Sequence, residues 1–265
     1  NKEIDMEKKV GIVSGAGGII GKSIVDNLVS DGFNIIASDI NEESLNTYFA
    51  DDKNVLIEGG DITDLDIQKK VLNKAIEKFN KIDVLVNNAG VEGSVVPIDE
   101  LNLDSVRKLY EVNVFSIISF SGLVAKKMKE QQFGRIINMA SGAGLSGTPY
   151  MTPYNSSKHA VVGITRCLAL ELGNSGIQVN AVCPGCVESE MMSRIEEEFG
   201  RIEGEPVSWE SSIPLERYAK PEEMGNQYIS REARLQDTKN RQNSIETDNL
   251  GLSETWKHKQ LTVME

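Results

Sequence analysis

The sequence is poor in the residues that build metal centres and disulfide frameworks. It has three cysteines and two histidines in 265 residues. Cys167, Cys183 and Cys186 are odd in number, which fits reduced thiols in a cytoplasmic setting better than a disulfide framework. Cys183-x-x-Cys186 has no second ligand pair, so no metal is expected there. His159 and His258 have no ligand or triad partner in the pattern around them. Positive charge is scarce: 28 Lys plus Arg against 40 Asp plus Glu leave a net charge of −12. Such a surface repels nucleic acid and anionic membrane, so neither is an expected partner. No run of about 18 uninterrupted apolar residues occurs, so no membrane span is predicted. The first residues, Asn1 to Lys9, are charged and do not read as a signal peptide.

What is present is an apolar fraction of 40 %, enough for a large core in one α/β domain. Lys9 to Ser14 reads as a short buried strand and runs into Gly15-Ala16-Gly17-Gly18-Ile19-Ile20-Gly21. Ile20, Ile24, Leu28 and Val29 follow at helical spacing. Strand, glycine-rich turn and helix together form a dinucleotide-binding start. The glycines admit a pyrophosphate to the backbone, and the helix N-terminus offers N–H groups and a positive dipole. An ordinary βα turn is the plainer alternative. Asp39 sharpens the reading, because it ends the next apolar strand, Phe33 to Ser38, near the roughly 20-residue offset of an acid that binds the adenine ribose. A carboxylate there repels the extra phosphate of NADP, and no Lys or Arg in the loop or directly after Asp39 offsets it. The expected cofactor is NAD rather than NADP. A turn aspartate capping the next helix is the alternative for Asp39.

Strand and helix alternate along most of the chain. Further strands are expected at Val55 to Glu58, Ile82 to Val86, Arg135 to Met139 and Ile177 to Val182. Helices are expected at Asp64 to Asn80, Leu103 to Lys129 and Thr152 to Leu172. Continuous apolar strands between helices mean a parallel sheet buried on both faces, a Rossmann-type doubly wound α/β fold with six strands. Ligands in such sheets sit at the C-terminal ends of the strands, where the glycine turn, Asp39, Asp61, Asn88, Ser141 and Pro184 all fall.

Tyr154 and Lys158 lie four residues apart on the helix from Thr152, hence on one face. A phenol with an ordinary pKa of about 10 is a poor acid or base at neutral pH, and an ammonium beside it pulls that value down. Alone, the pair also fits a helix surface contact. In company it resembles the short-chain dehydrogenase/reductase family. Ser14-Gly15-Ala16-Gly17-Gly18-Ile19-Ile20-Gly21 is similar to the family's Thr-Gly-x-x-x-Gly-x-Gly loop, and Asp61-Ile62 to its adenine-contacting pair. Asn87-Asn88-Ala89-Gly90 matches its Asn-Asn-Ala-Gly motif, and Asn113, Ser141, Tyr154 and Lys158 match its catalytic tetrad in order and spacing. Pro184-Gly185-x-Val187-x-Ser189 is similar to its nicotinamide segment.

The resemblance implies hydride transfer between NAD and a secondary alcohol or ketone, with Tyr154 as general acid/base. It gives Lys158 the tasks of tuning Tyr154 and bonding the nicotinamide ribose. It gives Ser141 the substrate oxygen and Asn113 a relay water. It also implies a homodimer through the Asn113 and Tyr154 helices and leaves a tetramer open. The region after Pro184-Gly185, about Glu188 to Ser212, is where a substrate lid is expected. Its apolar residues are equally explained as a structural face. A 3-oxoacyl thioester reductase is one alternative, although no basic cluster for an acidic carrier is evident.

Two departures stand out. Ile19 occupies the place of the loop's middle glycine, and the C-terminal end lacks the family pattern. They motivate a second alternative, a cofactor-binding protein with impaired catalysis. The division expected is an oxidoreductase domain over 1–227 and an atypical polar tail over 228–265. In the tail, apolar residues such as Ile245 and Leu250 are scattered singly and no run is fit for a buried strand. The sheet is therefore expected to end at Ile177 to Val182 with the family's seventh strand absent or altered, the tail disordered or a loosely attached helix, and the chain less stable than its relatives.

Overall fold

The structure is a computed structural model describing residues 8–224 and 245–247. Its elements in chain order are β1 (Lys9–Ser14), α1 (Ile19–Ser30), β2 (Phe33–Asp39), α2 (Glu42–Phe49), β3 (Val55–Gly59), α3 (Leu65–Phe79), β4 (Val84–Asn87), α4 (Leu103–Tyr110), α5 (Ser116–Gln131), β5 (Gly134–Met139), α6 (Thr152–Leu172), β6 (Ile177–Cys183), α7 (Glu190–Glu203), α8 (Pro221–Met224) and β7 (Ile245–Thr247). The strands form one parallel sheet in the order β3-β2-β1-β4-β5-β6-β7. This is the expected Rossmann-type architecture.

Period-2 alternation sorts the strand residues to two cores. Ile12, Ile36, Leu85, Ile136 and Val179 join one cluster with Phe79, Phe120 and Met128 from the helices. Strand residues an odd number of positions away, Val13, Ile35, Val86, Ile137 and Val182, join the other, with Ile24, Leu28 and Leu45. Both faces of the sheet are thus covered, which is why the strands read as unbroken apolar runs. Local caps agree with the pattern. Asn41 Oδ1 accepts from Ser44 N at 3.0 Å, Asp64 Oδ1 from Asp66 N at 2.8 Å and Ser189 Oγ from Met192 N at 3.1 Å. The strand order reverses at β1, which pairs with β2 on one side and β4 on the other. That switch point opens a crevice beyond Ser14 and Asn87, which are partners in register.

Two expectations are corrected. The helix expected without a break over 103–129 is α4, a π turn at Glu111–Phe115 and α5. Ser116 N–H donates to the Glu111 carbonyl, one residue further back than in an α-helix. By length and composition the run 103–131 is apolar enough to cross a membrane, but half of its most apolar window is buried within the fold, as in a core helix. The sheet also does not end at β6: β7 pairs with Ala181, Val182 and Cys183. A strand of three residues needs no apolar run, because its ladder is made by backbone groups that any sequence supplies. The seventh strand is therefore altered rather than absent. The remaining expectations for the tail, and the boundary near 227, lie outside the described residues.

Candidate active site

The glycine turn is closed by contacts that only glycine allows. Gly15 has φ +66°, and a Cβ on it would lie 2.7 Å from Ala89 Cα. A Cβ on Gly21 would lie 1.9 Å from the Gly15 carbonyl oxygen, so α1 starts hard against the turn. Gly17 N donates to Asp39 Oδ2 at 2.9 Å, which draws the β2 carboxylate onto the loop. Asp39 Oδ1 accepts from Asn41 N at 2.8 Å. Ser14 Oγ accepts from Asn88 N at 3.2 Å and Ala89 N at 3.3 Å, and Asn88 Nδ2 donates to the Gly15 carbonyl at 2.9 Å. The ends of β1 and β4 are thereby stitched together across the switch point. Gly18 is the N-cap of α1 and has no side chain to occupy its first N–H groups. Ile19 is the first residue of α1 and is half-exposed, off the tight Gly15–Gly21 contact. The turn, the uncapped helix start and the carboxylate at its edge fit a dinucleotide.

A cavity of about 370 Å³ opens beside this turn at the C-terminal ends of β4, β5 and β6. Of the expected site residues, Ile20, Asn88, Gly90, Ser141, Tyr154, Lys158, Pro184, Gly185, Val187 and Ser189 line it. Lys158 is buried, and its Nζ donates to the Met139 carbonyl at 2.9 Å. Nζ also lies 5.6 Å from the centroid of the Tyr154 ring. Burial pushes the Lys158 ammonium down to about 8. Burial pushes the Tyr154 phenol up, and hydrogen bonding with Ser141 opposes this. The expected lowering of the phenol by Lys158 is not what the chain alone produces, because desolvation outweighs the other effects. Ser141 Oγ accepts from Ala143 N at 3.2 Å, and its hydroxyl faces the cavity in hydrogen-bonding reach of the Tyr154 phenol.

Other expected residues stand further off. Asn113 is fully buried behind Lys158. Its Oδ1 accepts from Val91 N at 2.8 Å, and its Nδ2 donates to the Val91 carbonyl at 2.9 Å and Ser157 Oγ at 3.1 Å. The side-chain amide thus has both its hydrogens committed to protein groups. Asp61 holds Thr63 through its N–H and hydroxyl at 2.9 and 2.8 Å, and Ile62 is buried in the core. Both lie beyond the end of β3, apart from the cavity. Three residues that no motif singled out position the site: Val91 and Ser157 through Asn113, and Glu92 through Arg194. Glu92 Oε1 accepts from Arg194 Nε at 2.6 Å, tying the loop after β4 to α7. Opposite charges 102 residues apart have no sequence signal that pairs them.

A profile of short chain dehydrogenases matches residues 9–199. The chain belongs to that family. It is 34 % identical over 229 residues to a diacetyl reductase, (S)-acetoin forming, of Staphylococcus epidermidis, covering 82 % of this chain and 89 % of that one. The fold is similar to an NAD⁺-bound xylitol dehydrogenase, with TM-score 0.80, 30 % identity and coverage of 85 % and 92 %. It is also similar to an actinorhodin polyketide ketoreductase with NADPH, with TM-score 0.82, 30 % identity and coverage of 87 % and 92 %. The family relationship makes the chain an alcohol–ketone oxidoreductase of nicotinamide dinucleotide cofactors.

Proposed function

We propose that this chain interconverts a secondary alcohol and a ketone with NAD, using Tyr154 as the general acid/base. The observation that carries the reading is the meeting of Tyr154, Ser141 and Lys158 in one cavity beside the glycine turn and Asp39. Gly15, Gly18, Ile19, Ile20 and Gly21 would hold the pyrophosphate, Asp39 the adenine ribose, and Asp61 and Ile62 the adenine. Asn88, Ala89, Gly90, Pro184, Gly185, Val187 and Ser189 would border the nicotinamide half. When bound, NAD supplies the hydride acceptor for alcohol oxidation and NADH the donor for ketone reduction.

The protein's own part is proton transfer and aim. Ser141 donates to the substrate oxygen and fixes it near the phenol. Tyr154 takes the hydroxyl proton in oxidation and returns it in reduction. The Lys158 ammonium, held by the Met139 carbonyl, stabilises the phenolate that oxidation needs. Asn113 anchors the wall behind Lys158 through Val91 and Ser157, and a relay water would sit on its backbone side rather than on the committed amide. Impaired cofactor binding is not favoured by Ile19, since its side chain is off the close contact of the turn.

Steady-state rates on a panel of secondary alcohols with NAD and NADP test the reading, alongside Tyr154→Phe. The expected result is NAD-linked turnover that falls about 100- to 10,000-fold in the variant, with NAD binding retained. Near-normal rates in Tyr154→Phe would remove Tyr154 from its role. Faster rates with NADP would remove Asp39 from its own.

A further inference from the structure

We propose that the substrate end of the cavity is built for a ketone or secondary alcohol with one oxygen and an apolar, uncharged body, with Trp209 setting the length it admits. This rests on the oxidoreductase reading above. The first support is charge. Among the described residues, no Asp, Glu, Arg or His lines the cavity, and the cationic side chain there is Lys158, already bonded to the Met139 carbonyl. A substrate carboxylate would lose its water there without gaining a dedicated partner.

The second support is where the hydroxyls of the wall direct their protons. Ser146 Oγ donates to the Gly142 carbonyl at 3.0 Å, Ser189 Oγ to the Val187 carbonyl at 3.1 Å and Ser212 Oγ to the Trp209 carbonyl at 2.7 Å. Thr148 Oγ1 accepts from Asn155 Nδ2 at 3.3 Å. Among the described residues, the wall hydroxyls whose protons no carbonyl takes are those of Ser141, Tyr154 and Thr148. A polyol would bring several further hydroxyls to a wall where three of the serine protons are already given to carbonyls, and each buried without a partner costs affinity.

The third support is the wall itself. Met191, Met192 and Ile195 of α7 and Met151 face the cavity and pack in one cluster with the Tyr154 ring. Phe199 and Trp209 close it edge to face, with centroids 4.9 Å apart at 88°. Tyr150 backs Phe199 at 5.6 Å, held at φ +62° with its carbonyl accepting from Val96 N at 3.0 Å. Trp209 N donates to Tyr218 Oη at 2.9 Å, and that hydroxyl donates to Glu196 of α7. The wall is thus braced on two sides. At about 370 Å³, shared with the nicotinamide half, the cavity is near the small end of the roughly 300–1,000 Å³ common for small-molecule sites.

The test is NADH- and NADPH-dependent reduction, in separate runs, of methyl ethyl ketone, methyl hexyl ketone, cyclohexanone, acetoacetate and xylulose by the full chain. The expected kcat/KM for at least one of the apolar ketones exceeds that for acetoacetate and for xylulose by about 100-fold. In Trp209→Ala the ratio of methyl hexyl to methyl ethyl ketone should rise about tenfold. If that variant does not fold by circular dichroism, Trp209→Phe should move the ratio the same way by less. Acetoacetate or xylulose reduced as well as the apolar ketones would overturn this inference while leaving the oxidoreductase reading intact. An unmoved ratio in a folded Trp209 variant would remove Trp209 as the length-setting residue. No turnover of any compound with either cofactor would overturn the oxidoreductase reading itself.

Discussion

Burial acts on the two ionisable groups of the cavity in opposite senses. It holds the proton on Tyr154 and loosens it from Lys158, which is pushed down to about 8. At neutral pH the phenol is protonated and the ammonium charged, the pairing that donates a proton to a ketone. Raising the pH through about 8 removes the Lys158 charge first. Ketone reduction should therefore decline above that value, while alcohol oxidation, which needs the phenolate and the ammonium that stabilises it, should climb from neutral pH to about 8 and gain no further once that charge is lost. Initial rates in both directions across that range check the sign; oxidation that falls between neutral pH and about 8 would contradict it. At the same scale, Asp39→Ala should lose the clasp on Gly17 N and narrow the proposed preference for NAD, mostly by weakening NAD. Kinetics with both cofactors measure this. That Tyr154, Lys158 and Ser141 meet in one cavity, and that Asp39 reaches the glycine turn, was legible in the sequence because it depends on residue type and spacing. Their anchors were not. Lys158 bonds a carbonyl and Asn113 bonds the Val91 backbone, groups that every residue carries and no sequence distinguishes.

Elements were legible where burial on both faces wrote itself as an apolar run. The strands from Lys9 to Cys183 were found with their ends displaced by at most two residues. The π turn was not, because a turn closed at i+5 rather than i+4 leaves the apolar spacing on either side nearly unchanged. It has a structural correlate all the same. The turn carries the Asn113 amide that bridges to Val91 and Ser157, so the helix and the loop beneath Lys158 are fixed by one side chain. Asn113→Ala should leave the Val91 N–H and carbonyl without that partner and cost about 1–3 kcal/mol. The midpoint of urea unfolding reads that loss. Activity should fall further than stability explains, with a displaced pH profile, because Lys158 loses its backing. A variant with reduced stability and an unchanged pH profile would limit Asn113 to a structural role. The open side of β3 shows a different device. Lys74 Nζ donates to the Ile57 carbonyl at 2.6 Å and pairs with Glu58, which blunts that edge against strand addition.

On the scale of the molecule, a net charge of −12 coexists with an apolar face on the helices that carry the site. Phe115 and Ile118 are half-exposed on the π turn and α5, and Leu103 is 63 % exposed at the start of α4. These helices are neighbours of α6, to which Tyr110 Oη is tied by a 2.9 Å bond to Ser156 Oγ. Scattered apolar residues are ordinary on a surface, but Phe115 and Ile118, three residues apart and so on one helical face, make a site that a second copy could cover. The proposed assembly is a homodimer joined through α5 and α6. Ile118→Glu would set two like charges near the two-fold axis, at a position where a glutamate costs the monomer little. Sedimentation equilibrium should give twice the chain mass for the unaltered protein and the chain mass for the variant. Turnover should drop with the dimer, since α6 carries Tyr154 and Lys158 and the turn before α5 carries Asn113. An unaltered protein that sediments as a monomer, or an Ile118→Glu variant that remains a dimer, would place the interface elsewhere.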